Sequence, residues 1–183
     1  MASERSSPNF DERLADTPID MLVLHYTGME TANAALDRLC DPEAKVSAHY
    51  LIDEDGAVTA LVGEDKRAWH AGVSYWRGET DINARSIGIE LVNPGHEFGY
   101  REFPEAQMAA LKDLALGILD RHPIPAHNVV GHSDVAPGRK TDPGELFDWA
   151  GLAAAGIGLW PEADETDCDP ADVPRMLAEY GYD

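Results

Sequence analysis

The sequence predicts an α/β fold, a mixed central β-sheet flanked by helices. Three observations carry that prediction. Two short apolar runs of strand length, MLVLHY (21–26) and SIGIELVN (86–93), stand apart in the chain. Residues 104–122 place Met108, Leu111, Leu114, Ala115 and Ile118 at helical spacing between Pro104 and Pro123. VSAHYLID and AVTALV are joined by EDG, an Asp-Gly turn signal, so at least one strand pair is antiparallel. The strands and helices alternate without the regular rhythm of a doubly wound sheet. A chain of 183 residues, 44% of them hydrophobic, fits one domain around a single core.

In chain order, residues 1–17 are polar and patternless and read as a loose arm. Residues 21–26 follow as a buried strand. Thr31 is a suitable cap for an Ala/Leu-rich helix reaching Leu39. The hairpin comes next, and then a mixed stretch over 63–85, rich in Trp and Gly, which reads as an ordered loop. After the strand at 86–93 and the helix at 104–122, NVVGH (128–132) is a short strand or turn. Leu146–Ala155 makes a second short helix, PEADETDCDPAD (161–172) an acidic linker, and VPRMLAEYG a small final helix. The domain itself is expected to span 18–160, with linker and helix over 161–183. There is no internal repeat.

The formal net charge is −20, from 34 acids against 14 bases. Such a chain is repelled by nucleic-acid phosphates and anionic membrane surfaces, which excludes those partners. Cys40 and Cys168 form no CxxC pair and fit a reducing compartment. No run is long enough for a signal peptide or a bilayer span. The expectation is a cytoplasmic monomer.

The chemistry concentrates in GHSDVAPGRKTDPG (131–144), which carries His132, Lys140 and Asp142, and in His25 at the end of the first apolar run. Two imidazoles and a carboxylate make a three-ligand zinc site with a fourth position open, the pattern of catalytic rather than structural zinc. Each residue alone reads more simply as a polar side chain with a local partner; together they gain weight as ligands. Lys140 lies two residues from Asp142 and is placed to stabilise a carbonyl oxygen under attack. Glu90 falls in an otherwise apolar strand, on the face opposite Ile87, Ile89 and Leu91. It is either an exposed strand position or a general base for a water molecule. His49 and His70 are pocket candidates or core histidines. Trp69, Tyr75 and Trp76 offer a stacking surface for a sugar or close over a core edge.

Four segments together carry a resemblance: VLHYTG, VSAHYLIDEDG, WHAGVSYWRG followed by NARSIGIELVN, and VVGHSDVAPGRKTDPG. In this order, across residues 21 to about 150, the chain resembles the zinc-dependent N-acetylmuramoyl-L-alanine amidases, which include anhydro-muropeptide amidases and are related to peptidoglycan recognition proteins. The resemblance implies a mixed sheet flanked by helices with zinc in a surface cleft. It implies that His25, His132 and Asp142 bind zinc, that Glu90 is the catalytic carboxylate, and that Lys140 stabilises the oxyanion. It places His49, His70 and Trp69 on the substrate side of the pocket. The implied reaction is hydrolysis of the amide joining N-acetylmuramic acid to L-alanine, in peptidoglycan or soluble muropeptides. The alternative is a module of the same fold that binds peptidoglycan without cutting it. The retained ligand set, Glu90 and Lys140 favour the enzyme.

Overall fold

The computed structural model describes residues 3–161 and 169–183. Strand β1 (Ser3–Glu4) and strand β2 (Phe10–Glu12) open the chain, followed by β3 (Met21–Tyr26) and helix α1 (Ala32–Leu39). Thr31 caps α1, its hydroxyl oxygen accepting from the Ala34 N–H at 3.2 Å. The hairpin is β4 (Tyr50–Ile52) and β5 (Val58–Ala60). Its turn is closed by Gly56 N–H donating to the Asp53 carbonyl at 2.9 Å. Then come β6 (Lys66–Ala68), helix α2 (Ile82–Arg85), β7 (Ser86–Leu91) and helix α3 (Gly95–Phe98). The long helix α4 (Glu105–Arg121), β8 (Val129–Gly131) and the short helices α5 (His132–Val135) and α6 (Trp149–Ala154) follow, with α7 (Val173–Tyr180) last.

The main sheet has the order β1-β5-β4-β7-β3-β8, and β2 and β6 form a second, two-stranded sheet. β4, β7, β3 and β8 run parallel to one another, while β5 is antiparallel to β4. The mixed sheet flanked by helices is the predicted one. One face is fully apolar: Leu22 and Leu24 of β3, Ile52 of β4 and Ile87, Ile89 and Leu91 of β7 pack under α4. α4 meets them through Met108, Leu111, Ala115 and Ile118, a stripe at spacings of three and four residues. Gln107 ties the same helix to the sheet, donating to the carbonyls of Ile52 and Val92 at 2.9 and 3.0 Å.

The opposite face is divided. Met21, Val23 and Val130 form a small cluster with Ala71, Trp76, Ile82 and Val135 at the β3–β8 side. Leu51 forms another with Ala35, Leu39, Leu61 and Ala68 at the β4 side. Between them runs β7, whose side chains on this face are Ser86, Gly88 and Glu90. The sheet therefore keeps a polar furrow between two apolar banks, and the functional groups lie in it.

Two expectations are corrected. The described part of the arm, residues 3–17, is not loose: β1 pairs in parallel with β5, and β2 pairs with β6. Polar side chains hold the arm down, which a search for apolar periodicity does not detect. Buried Ser7 donates to the Leu39 carbonyl at 2.5 Å, and Asn9 donates to the carbonyls of Asp41 and Val46, both at 2.8 Å. Half-buried Arg13 donates to the carbonyls of Glu64, Asn83, Ala84 and Ser86. The stretch 63–85 likewise contains a strand, β6, and a helix, α2, capped by Asp81. Both elements are too short for periodicity to register.

Most of the acidic linker expected over 161–172 lies outside the described residues, as does Cys168. Cys40 is a free thiol. Among the described residues no helix is long and apolar enough to cross a membrane.

Candidate active site

His25 sits near the carboxyl end of β3 and Glu90 near that of β7, and the two are register partners across the parallel pair. Side by side on adjacent strands, they point to the same side of the sheet. His132 opens α5 directly after β8, the neighbour of β3 on its other side. Asp142 is brought back to it because the loop closes on itself: the Ser133 N–H donates to the Asp142 carbonyl at 2.9 Å. Tyr100 holds the far limb, donating to the Pro143 carbonyl at 2.8 Å and accepting from the Leu146 N–H at 3.0 Å. Gly144 allows this approach, since a Cβ there would lie 2.4 Å from the Tyr100 hydroxyl oxygen.

Three atoms converge in the furrow. His25 Nδ1 lies 3.0 Å from His132 Nδ1, and Asp142 Oδ2 lies 3.1 and 3.0 Å from them. All three residues are buried. The hydrogen bonds behind them fix which nitrogens carry protons. Ser86 Oγ donates to the Ile82 carbonyl at 2.6 Å, so it accepts from His70 Nε2 at 3.1 Å. That leaves His70 Nδ1 as the acceptor for His25 Nε2–H at 3.0 Å, and His25 Nδ1 without a proton. His132 Nε2–H donates to the Ala71 carbonyl at 3.0 Å, which bares His132 Nδ1 in the same way. Burial, and then the neighbouring His132, lower the His25 pKa to about 4, so this imidazole is neutral at pH 7.

Two bare lone pairs and a carboxylate oxygen facing one another repel unless a cation lies among them. A tetrahedral zinc with bonds of about 2.0–2.2 Å spaces its ligand atoms about 3.3–3.6 Å apart, so the set fits that ion with an outward shift of a few tenths of an ångström. His25, His132 and Asp142 are the group of residues that could hold a metal among the described ones.

Glu90 lines the same cleft, a cavity of about 360 Å³. Its Oε2 is inaccessible and has no hydrogen-bond partner among the described residues. Burial, and then the Asp142 charge, raise its pKa well above the ordinary value, with Lys140 opposing. Lys140 is exposed on the cleft wall, with no carboxylate partner among the described residues. A half-buried carboxylate with an unpartnered oxygen, beside three residues that could hold a cation, is equipped to move a proton.

Of the three residues expected on the substrate side, Trp69 lines the cleft, with its indole N–H tied to Asp11 at 2.7 Å. His70 reaches the cleft, but both its ring nitrogens serve the chain from His25 to Ser86. It supports a candidate ligand rather than presenting a free group to substrate. The strand glycine Gly88 is the signal for it in the sequence, because a Cβ there would meet the His70 ring at 2.5 Å. Gly88→Ala is accordingly expected to displace His70 and weaken metal affinity about 10–100-fold, the usual effect of losing an outer-shell partner. Competition titration against a zinc chelator checks this, and an unchanged affinity would disprove the support role. Trp76 belongs to the core, donating to Asn128 at 3.1 Å.

His49 is a correction. It is fully buried beneath the arm; its Nδ1 accepts from the Gly88 N–H at 2.9 Å and its Nε2 donates to the Lys66 carbonyl at 3.1 Å. No ring nitrogen is left for substrate. Burial lowers its pKa to about 4 from the ordinary 6.5, with the Lys66 carbonyl opposing. The unfolded chain therefore binds the proton first. Stability is full above pH 6.5 and falls as the pH drops toward 4, by about 2 kcal/mol at pH 5 from this group. Urea midpoints in chelator should decline less steeply between pH 6.5 and 5 for His49→Gln, and an identical slope would discount His49.

The family model for N-acetylmuramoyl-L-alanine amidase matches residues 15–145. The chain is 42% identical to the N-acetylmuramoyl-L-alanine amidase AmiD of Escherichia coli, over 90% of this chain and 67% of that protein. It is 39% identical to the 1,6-anhydro-N-acetylmuramyl-L-alanine amidase AmpD of E. coli, over 79% of this chain and 86% of that protein. Among solved structures, E. coli AmiD in complex with anhydro-N-acetylmuramic acid-L-Ala-D-γ-Glu-L-Lys superposes with a TM-score of 0.81 at 38% identity, covering 96% of this chain and 80% of that one.

Proposed function

This chain belongs to the N-acetylmuramoyl-L-alanine amidase family and hydrolyses the amide between N-acetylmuramic acid and L-alanine, and from that premise we propose the roles of its residues. His25, His132 and Asp142 would hold a zinc ion through Nδ1, Nδ1 and Oδ2. Bound there, zinc would supply Lewis-acid polarisation of the scissile carbonyl and acidify the attacking water. Glu90 takes a proton from the attacking water through its carboxylate and returns it to the alanine nitrogen as the C–N bond breaks. Lys140 places its ammonium beside the carbonyl oxygen as negative charge develops there. Trp69 offers its ring face to the sugar. The products are a muramyl sugar with a free lactyl carboxylate and a stem peptide with a free amine.

The observation that carries this reading is the convergence of three proton-free acceptors beside the unpartnered Oε2 of Glu90. It is tested by incubating zinc-loaded protein with an anhydro-muropeptide and with polymeric peptidoglycan, and identifying products by mass. Release of intact stem peptide is expected; a cut within the peptide or the glycan would overturn the assignment. Cytoplasmic location and a monomeric state remain part of the proposal, checked by cell fractionation and by light scattering.

Lys140→Ala, compared at equal zinc occupancy, is expected to lower kcat about tenfold or more while KM changes little, because the contact forms mainly in the transition state. A raised KM with unchanged kcat would make Lys140 a substrate-binding residue instead.

A further inference from the structure

The chain carries ten arginines and four lysines against 34 acids. With that excess, an arginine whose side chain has no partner at all is unusual, and nine of the ten are engaged. Arg5, Arg67, Arg85, Arg101, Arg121 and Arg175 pair with carboxylates. Arg13, Arg77 and Arg139 donate to main-chain carbonyls. Arg38 does neither among the described residues. The carboxylates nearest to it in sequence are already engaged: Asp37 holds Arg5 at 2.6 Å, and Asp41 accepts from the Glu43 N–H at 2.9 Å. Arg38 is exposed in the last turn of α1, and its place is the wall of the catalytic cleft, which α1 lines with Ala35, Arg38 and Leu39. Those positions are i, i+3 and i+4, one helical face. Lys140 is the other unpartnered cation in the lining, and it is assigned to the reacting carbonyl.

We propose that Arg38 is a specificity-determining residue that binds a free carboxylate of the substrate's stem peptide, close to the scissile amide. The proposal rests on the amidase reading above. A guanidinium offers a planar pair of N–H donors matched to a carboxylate, and a bidentate pair is both stronger and more directional than a single contact. The peptide bound to AmiD continues from L-Ala into γ-linked D-Glu, and the γ-linkage leaves the α-carboxylate of that residue free, one residue beyond the scissile bond. In a protein of net charge −20, the long-range field opposes an anionic peptide. An unpartnered arginine on the cleft wall opposes that field locally.

The test uses two substrates of nearly identical shape, 1,6-anhydro-N-acetylmuramyl-L-Ala-D-isoglutamate, with the α-carboxylate free, and 1,6-anhydro-N-acetylmuramyl-L-Ala-D-isoglutamine, in which it is an amide. For wild-type protein the ratio of kcat/KM, acid over amide, should be about ten or more. Arg38→Gln should collapse the ratio to about one, chiefly by raising KM for the acid, and Arg38→Lys should give an intermediate value. Lys112→Gln removes an equally unpartnered cation from α4, on the far side of the sheet, and should keep the wild-type ratio. If wild type cleaves both substrates alike, or if Arg38→Gln lowers both in equal proportion, the carboxylate role is overturned and the amidase reading stands. If wild type cleaves neither, the amidase reading fails and takes this proposal with it.

Discussion

Replacing His132 by alanine is expected to strip the protein of zinc and of activity together. The residue supplies one of three converging acceptor atoms, and the other two, His25 Nδ1 and Asp142 Oδ2, are fixed from behind by separate contacts. Two ligands on a rigid frame cannot close around an ion that needs three. Loss of an outer-shell partner alone costs about 10–100-fold in metal affinity, so loss of a direct ligand should exceed a hundredfold. Elemental analysis should find about one zinc per wild-type chain and well under a tenth of that in the variant. Circular dichroism should show the sheet and α4 intact, because the large apolar core lies on the opposite face. A variant that keeps stoichiometric zinc and near-wild-type turnover would remove His132 from the ligand set.

Glu90→Gln is expected to separate chemistry from folding. The amide is nearly isosteric, so zinc content and secondary structure should be retained while turnover falls on the order of a hundredfold to ten-thousandfold. Stability should move the other way. The carboxylate is held in the furrow with one oxygen unpartnered and with Asp142 raising its pKa, and both conditions penalise its charged form. Removing the charge should leave the melting temperature unchanged or raise it. Activity and stability falling together would mean that Glu90 is structural. A raised melting temperature with lost turnover is what a proton-transfer residue, retained at a cost to the fold, predicts.

The sequence shows the site more clearly than it shows the fold around it. His25 and Glu90 are legible because each interrupts an apolar strand, and a polar residue there needs a reason. His132, Lys140 and Asp142 are legible because glycines and prolines pack that loop at a density seldom met in a plain connection. The strands 21–26 and 86–93 and the helix from 104 are legible through period alone. The arm is not, because it is held by single polar contacts from Ser7, Asn9 and Arg13, and hydrogen bonds between distant residues leave no periodic trace. His49 and His70 illustrate the same limit. Both are histidines near strands, and only their partners tell one from the other: main-chain groups of the sheet and β6 for His49, a candidate ligand for His70.

Arg13 ties the N-terminal arm to the strand that carries Glu90. Its guanidinium satisfies carbonyls from three places that are remote in sequence: Glu64 ahead of β6, Asn83 and Ala84 in α2, and Ser86 at the start of β7. A polypeptide beginning at residue 18, where apolar patterning starts, would keep every apolar residue of the large core and every candidate ligand. It would nevertheless leave four acceptors unpaired directly behind β7, the strand that carries Glu90, and would strip β6 of its pairing partner. A fragment designed from the visible pattern would thus keep the reacting groups and lose the brace that holds their strand in place.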